Sequence, residues 1–247
     1  MVHAAAVEEF EKKDVELTVP PGEPRPVLLV VMGPASCGKS TIGQQVADAL
    51  QLPFIDGDSL HPKSNVDKMS NGIPLTDDDR LPWLALIRST AERNCKEQWD
   101  EGAVKSKAQG GIGRPGIVIG CSALKKWYRD ILRGHVEAIP PPTDDLPPNH
   151  DEATAEKKVD KPATSNLLTL FLYCHGSPEL LAQRIAARKG HFMGARMLES
   201  QLATLQDPRG EEGVAWVDID GTEEVVRERA VKNTQRLIAA ELDEKDE

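Results

Sequence analysis

One short stretch near the N-terminus constrains the fold of this chain more than any other feature. It reads Gly33-Pro34-Ala35-Ser36-Cys37-Gly38-Lys39-Ser40-Thr41. The pattern Gly, four residues, Gly-Lys-Ser/Thr is that of a phosphate-binding P-loop, in which glycines let successive backbone N–H groups curl round a phosphate. The ammonium of Lys39 can neutralise the outer phosphates, and the hydroxyl of Ser40 can ligate Mg²⁺. The whole stretch, 33–41, is therefore predicted to bind ATP with Mg²⁺.

The sequence on either side of this stretch has the pattern that a P-loop requires. The apolar, β-branched run 27–32 predicts a buried parallel strand. The segment 41–50 predicts a helix, because Ile42, Val46 and Ala49 recur at helical spacing. A glycine-rich turn that carries Lys-Ser by chance is the alternative interpretation. The order of strand, loop and helix favours the P-loop.

Length and composition exclude several classes of protein. The chain has 247 residues, a formal net charge of -10 and a pI of about 5.2, which argues against a broad surface for nucleic acid or anionic membranes. No apolar run approaches the ~20 residues of a membrane span, and the acidic N-terminus does not resemble a signal peptide. The four cysteines are widely spaced and form no CxxC pair. We therefore expect a cytoplasmic protein with no nucleic-acid or membrane partner.

Strand and helix patterns alternate along the chain. After the first strand, further strands are predicted at 54–55, 116–120, 167–173 and 214–218. A short helix is predicted at 65–70. A long helix should run to about residue 101, capped by one of the three acids at 77–79, with Pro82 in its first turn. The alternation predicts a three-layer α/β/α fold, of the α/β class, with a parallel five-stranded sheet.

Two acids follow the second predicted strand. Asp56 and Asp58 should lie on the same rim as the P-loop, because the carboxyl ends of parallel strands meet at one edge of the sheet. A carboxylate there could accept a proton from a substrate hydroxyl or hold Mg²⁺ through water. The alternative is an Asp-Gly-Asp turn with solvated acids. These residues alone do not decide between the two.

The remaining segments organise the chain into one domain, predicted to span 27–241. Residues 1–26 are interpreted as a flexible extension and 242–247 as an acidic tail. Insertions are predicted at about 102–115 and 137–166. The second has many prolines and acids and few large apolar residues, so we expect a disordered surface loop. Cys37, which precedes Lys39 by two positions, is expected to have a lowered pKa and at most a modest sensitivity to peroxide.

Several blocks together resemble the gluconokinase family of P-loop small-molecule kinases, which is related to shikimate kinase and the nucleoside monophosphate kinases. They are Asp56-Gly57-Asp58 with His61-Pro62, Gly72 to Trp83, Cys121-Ser122-Ala123-Leu124-Lys125-Lys126 with Tyr128-Arg129-Asp130, Arg188 to Met193, and Ser200 to Pro208. The resemblance covers roughly 27–241 without the two insertions. The acid-rich and Ser-Ala-Leu-Lys blocks are more specific than a P-loop alone.

The resemblance implies ATP-dependent phosphorylation of D-gluconate to 6-phospho-D-gluconate, which feeds the pentose phosphate pathway. It also implies a small helical lid at about 189–196 and a homodimer as an assembly. Lys39, Asp58 and Arg188 would be catalytic, with Asp58 as the base or orienting group. Arg184 would stack on adenine and Arg188 would meet the γ-phosphate.

For the acceptor, the resemblance implies contacts with the sugar acid or its hydroxyls. These would come from Asp58, His61, Arg80, Lys125, Arg129 and His191. Two alternatives remain open from the residues alone: a kinase of another small hydroxy acid, and a nucleotide-dependent switch or scaffold without transfer.

Overall fold

The computed structural model describes residues 24–147, 166–187 and 192–243, which form strands and helices in alternation. The strands are β1 (Val27–Met32), β2 (Phe54–Asp56), β3 (Gly116–Cys121), β4 (Leu168–His175) and β5 (Val214–Asp218). The helices are α1 (Lys39–Leu50), α2 (Lys63–Ser70), α3 (Asp77–Asp100), α4 (Lys126–Arg133), α5 (Pro178–Ala187), α6 (Phe192–Thr204) and α7 (Glu223–Asp243). Within these described helices, none is long and apolar enough to cross a bilayer.

The five strands form one parallel sheet in the order β2-β3-β1-β4-β5. The central strand β1 places Val27 opposite Gly116 of β3 on one side and Leu168 of β4 on the other. Since every pairing is parallel, the carboxyl ends of all five strands meet at one edge. This confirms the predicted α/β fold and its strands.

Helices cover both faces of the sheet. All residues of β1 are fully buried; the odd-numbered ones pack with α1, α5 and α7, and the even-numbered ones pack with α3 and α4. Alternate side chains of a strand point to opposite faces, so one apolar strand supplies both halves of the core. The result is the predicted three-layer arrangement, which holds the sheet edge rigid beneath the P-loop.

The start of α3 differs from the prediction. Thr76, and not one of the acids at 77–79, caps this helix: its hydroxyl accepts from Asp79 N at 3.3 Å, and the Asp79 carboxylate accepts from Thr76 N at 2.8 Å. This reciprocal pair is a capping box, in which the acid is the third helical residue. Because the helix begins at Asp77, Pro82 falls in the second turn and not in the first.

Part of the second predicted insertion is ordered against the domain. Asp145 accepts from the backbone N of Ser64 at 2.7 Å and from its hydroxyl at 2.6 Å, and Lys63 Nζ donates to the carbonyl of Asp144 at 3.1 Å. A disordered loop was therefore the wrong prediction for 137–147, which is fixed to the start of α2. Residues 148–165 lie outside the described residues, as do 1–23, 188–191 and 244–247.

Candidate active site

The P-loop connects β1 to α1 through backbone conformations that need small residues. Gly33 has a φ of +145° and Gly38, the residue before α1, has a φ of +93°. A Cβ on Gly33 would stand 2.9 Å from Cys37 Sγ and 3.0 Å from the carbonyl oxygen of Cys174, so the site has no room for a side chain. Ser36 also has a positive φ, of 62°. The loop therefore has the curled form that presents N–H groups to an anion at the start of a helix.

Two side chains at the start of α1 face the mouth of the loop. Lys39 Nζ donates to the carbonyl of Pro34 at 3.0 Å, and Ser40 Oγ donates to Asp56 Oδ2 at 2.6 Å. A hydroxyl and a carboxylate oxygen are hard donors of the kind that Mg²⁺ accepts alongside phosphate oxygens. Within the described residues, no group of three or more His, Cys, Asp or Glu could hold a metal. The Ser40–Asp56 pair therefore fits Mg²⁺ only in company with a bound phosphate.

Asp58 lies beyond the end of β2, beside this pair. Its backbone N donates to Asp56 Oδ1 at 3.1 Å, and its side chain reaches solvent at the mouth of the cleft. The protein packed around the carboxyl raises its pKa above the ordinary value, the charge of Asp56 raises it further, and the charge of Lys39 lowers it. A carboxylate with a raised pKa is a better proton acceptor than a free aspartate.

The turn between these acids is held from below by the core. Trp83 Nε1 donates to the carbonyl of Gly57 at 2.8 Å. A Cβ on Gly57 would stand only 2.3 Å from the carbonyl oxygen of Gly120, so only glycine lets β2 approach the end of β3 this closely. The two contacts fix the position of the acids relative to the P-loop. Sequence reasoning named neither Trp83 nor Gly57 as part of the site.

His61 is buried next to the acids and is uncharged at neutral pH. Its ring stacks on Trp83 with a centroid distance of 4.1 Å and an interplanar angle of 15°. Burial, together with the charge of Arg80, lowers the pKa of His61 to about 4. Asn65 Nδ2 lies 3.3 Å from His61 Nδ1 and also donates to the carbonyl of Asp79 at 2.8 Å. Since an amide nitrogen can only donate, Nδ1 is the acceptor and the ring proton lies on Nε2.

A second group of polar side chains stands between the starts of α3 and α4. Lys125 Nζ donates to both carboxylate oxygens of Asp77, at 2.8 and 2.6 Å, and the Tyr128 hydroxyl donates to the same carboxylate. Hydrogen bonds from Lys125 and Tyr128 lower the pKa of Asp77. Arg80 Nη1 donates to the carbonyls of Leu75 and Thr76. We call Asp77, Arg80, Lys125 and Tyr128 the rim cluster.

Arg129 does not join the rim cluster. Its side chain is fully buried. Its guanidinium donates to the carbonyls of Ala123, Leu124 and Gln206 and, through Nε and Nη2, to the Glu211 carboxylate. These contacts join the end of β3 to the segment that follows α6. The substrate contact expected for Arg129 is therefore replaced by a structural one, because its hydrogen-bonding nitrogens already have protein partners.

Residues from the second half of the chain complete the P-loop end of the site. Arg184 Nη2 donates to the carbonyl of Ile219 at 2.7 Å, and Nη1 lies 3.9 Å from the position that a Cβ of Gly38 would take, so its guanidinium borders the P-loop. Gln201 Oε1 accepts from Ala35 N at 2.6 Å, which ties α6 to the loop. The sequence placed Gln201 in a family block without a role. Arg188 and His191 lie outside the described residues.

Comparisons with known proteins show which family the chain is similar to. A family model described as shikimate kinase matches residues 35–74, which hold most of the P-loop and the acids after β2. The chain is 38% identical to the gluconokinase of Gluconobacter oxydans over 85% of this chain and 93% of that relative. It is 33% identical to a probable gluconokinase of Schizosaccharomyces pombe over 89% of this chain and 93% of that relative. The crystal structure of a gluconokinase from Sinorhizobium meliloti superposes with a TM-score of 0.62 and 35% identity, covering 90% of this chain and 99% of the other.

Proposed function

The chain belongs to the gluconokinase family, and from that premise we propose that it transfers the γ-phosphoryl group of ATP to D-gluconate, giving 6-phospho-D-gluconate and ADP. The observation that carries the proposal is the alignment with gluconokinases over most of both chains, with the P-loop and the acids after β2 inside the aligned region. The rim cluster agrees with it, since basic side chains stand where an anionic acceptor would enter. We place the reaction in the cytoplasm, in keeping with four free cysteines.

The P-loop end of the site is suited to bind and neutralise phosphates. Loop N–H groups and the Lys39 ammonium would contact the phosphate oxygens, and the Ser40–Asp56 pair would hold Mg²⁺. When bound, that ion would offset negative charge that develops on the phosphoryl oxygens during transfer. Arg184 borders the loop and is proposed to stack on adenine. Arg188 is proposed to meet the γ-phosphate as the lid closes.

The acceptor end supplies a base and polar contacts. Asp58 is proposed to orient the attacking hydroxyl and to accept its proton, a task that its raised pKa favours. Neutral His61, with its proton on Nε2, would donate to a hydroxyl, while Arg80 and Lys125 would bind the carboxylate. His191, which falls in the predicted lid, is proposed to complete the acceptor contacts. Lid closure would exclude water, which otherwise competes as acceptor.

An ADP-release assay with a panel of acceptors tests the activity. The panel contains gluconate, shikimate, glycerate, nucleoside monophosphates and water alone. We expect a strong rate with gluconate and rates near the water background with the others. If another acceptor gave a higher rate than gluconate, that acceptor would be the substrate instead. A flat panel together with tight ATP binding would support the nucleotide switch instead.

The variant Asp58→Asn tests the assigned base. It should lose kcat by on the order of 10²–10⁴-fold, because an amide cannot accept the proton. ATP affinity should stay within about twofold of wild type, since the hydrogen bonds of Lys39 and Ser40 go to Pro34 and Asp56 and not to this side chain. Asp67→Asn, an exposed acid of α2, is the matched control and should keep full activity. Near-normal turnover by Asp58→Asn would remove Asp58 from the mechanism.

A further inference from the structure

Two buried cysteines meet beneath the P-loop. Cys37 lies in the loop, one residue before Gly38, and Cys174 lies near the end of β4; both are fully buried. Hydrogen bonding between the two side chains lowers the pKa of Cys37 and raises that of Cys174. A Cβ on Gly33 would be 2.9 Å from Cys37 Sγ and 3.6 Å from Cys174 Cβ, so both cysteines pack against the same glycine. The two side chains therefore meet at the strand-to-loop junction.

The surroundings of this pair favour one thiolate and one thiol. Burial by itself would raise the pKa of Cys37, but the hydrogen bond from Cys174 and the charges of Lys39 and Arg184 lower it to about 6, as does the backbone N–H of Lys39. The start of α1 adds its positive end. The hydrogen bond to Cys37 and burial raise the pKa of Cys174 well above its ordinary value. Near pH 7 the pair thus combines a nucleophilic sulfur with a protonated neighbour.

The other two cysteines lack this chemistry. Burial raises the pKa of Cys95 and of Cys121 to about 12, so both remain thiols at any physiological pH. Reactivity toward oxidants follows the thiolate and not the thiol. All four cysteines are buried, so access does not distinguish them and the thiolate does. When an opening of the P-loop admits an oxidant, oxidation is therefore directed to Cys37, and Cys174 is the thiol that packs beside it.

We propose that Cys37 and Cys174 form a reversible intrachain disulfide when the protein meets a hydroperoxide, and that this bond closes the nucleotide site. The thiolate of Cys37 attacks one peroxide oxygen, the O–O bond breaks, and a sulfenic acid and hydroxide form. The sulfur of Cys174 then attacks the sulfenic sulfur. Its proton and the departing hydroxide make water as the S–S bond forms. The two sulfurs lose two electrons, and hydrogen peroxide becomes one water and one hydroxide, which takes a proton from solvent to give the second water.

The bond would act on ATP binding through the loop itself. Cys37 stands between Ser36 and Gly38, whose positive φ values form the curl that receives phosphate. Tying its sulfur to β4 removes the freedom of the loop to adjust round a phosphate. ATP binding should in turn affect oxidation. Bound phosphates would compete with the Cys37 thiolate for the positive charges of Lys39 and Arg184, and would hold the loop closed above the sulfur. Nucleotide should therefore protect Cys37 from oxidation.

The test follows the bond and ATP binding separately, because the effect on activity rests on the proposed kinase function. Reduced protein is treated with hydrogen peroxide, with or without ATP, then alkylated, digested and mapped without reduction. We expect a peptide that links Cys37 to Cys174, formed about tenfold more slowly with ATP, and ATP affinity by calorimetry at least about tenfold weaker in the oxidised protein. Dithiothreitol should restore both ATP binding and gluconate phosphorylation.

Two variants separate this pair from general oxidation. Cys174→Ala should keep phosphorylation of gluconate but lose the linked peptide and the recovery with dithiothreitol, because Cys37 then proceeds to irreversible acids. Cys95→Ala, a buried cysteine away from the loop, should behave as wild type. If Cys174→Ala does not fold, the peptide map of the wild-type protein decides.

Two results would overturn the proposal. They are oxidation without the Cys37–Cys174 link, and a link that leaves ATP affinity unchanged. Linkage with weakened ATP binding, but no transfer to gluconate by the reduced protein, would instead refute the proposed function alone.

Discussion

Replacing Arg129 with alanine tests whether this residue supports the site or binds the substrate. Its guanidinium is fully buried and makes hydrogen bonds to three carbonyls and to the Glu211 carboxylate, which is itself 18% exposed. Removing one partner of a buried ion pair leaves the other charge and the carbonyls without their donors, and costs about 3–5 kcal/mol. Arg133 still pairs with Glu211 at 3.1 Å, which favours the lower half of that range.

The magnitude can be read as a change in melting temperature. For a chain of this length, 1 kcal/mol corresponds to roughly 2–4 °C. Arg129→Ala should therefore melt on the order of 10 °C below wild type in calorimetry or tryptophan fluorescence. At a temperature where the variant is folded, its KM for gluconate should stay close to that of wild type. Arg129→Lys should recover only part of the loss, because an ammonium cannot reproduce the fork of a guanidinium.

Lys125 gives the contrasting result in the same assays. Its ion pair with Asp77 is partly exposed, at 27% and 44%, so Lys125→Ala should cost no more than about 1 kcal/mol. Its KM for gluconate should rise about tenfold, since a charged contact with the substrate is lost. Lys96→Ala breaks an exposed pair with Asp100 on α3 and controls for the loss of a surface charge. An Arg129→Ala protein that melts within about 2 °C of wild type while its KM rises tenfold would refute the reasoning.

Two further predictions concern the free energy of unfolding. The pKa of His61 is about 4 in the folded state, against an ordinary value near 6.5. Between these pH values the unfolded state binds more protons than the folded state. The free energy of unfolding should therefore decrease as the pH falls from about 6.5 to 4. His61→Gln should flatten that slope in chemical unfolding measured across the range, and an unchanged slope would assign it to other groups. Asp145→Ala should cost about 1 kcal/mol, because the start of α2 loses its capping carboxylate. Denaturant unfolding measures this loss. Asp144→Ala is the control, because Asp144 accepts from Lys63 through its backbone carbonyl, which the substitution keeps. Equal stability of both variants would contradict the capping role.

The features that could be predicted from the sequence are those with a local cause. The strand β5 was predicted with the bounds that the structure shows, because its apolar run is bounded by turn residues. The P-loop follows from a fixed spacing, and the start of α5 follows from Ser177, whose hydroxyl accepts from Leu180 N at 3.1 Å. The cap of α3 shows the limit of this reasoning, since Thr76 and the three acids after it are all acceptable caps by type.

The features that could not be predicted depend on partners far away in the chain. Asp145 caps a helix 81 positions earlier, and Arg129 meets Glu211 82 positions later. No pattern of residue types in a short window contains these distances. The insertion was predicted to be disordered from its composition, yet part of it is held by Asp144 and Asp145 at the start of α2 and by Ala138 and Leu146 against the core.

Lys125 and Arg129 show that two basic residues of one motif can have different roles. They lie four positions apart and would share a face if both were helical. Lys125, however, is the residue before α4 with an extended backbone, φ -93° and ψ 148°, so its side chain leaves the face that Arg129 follows into the core. One ammonium stays at the rim and the other cation is enclosed by carbonyls. An anionic substrate can be held only by a cation that keeps access to the cleft, and burial together with hydrogen-bond partners identifies that cation where charge alone does not.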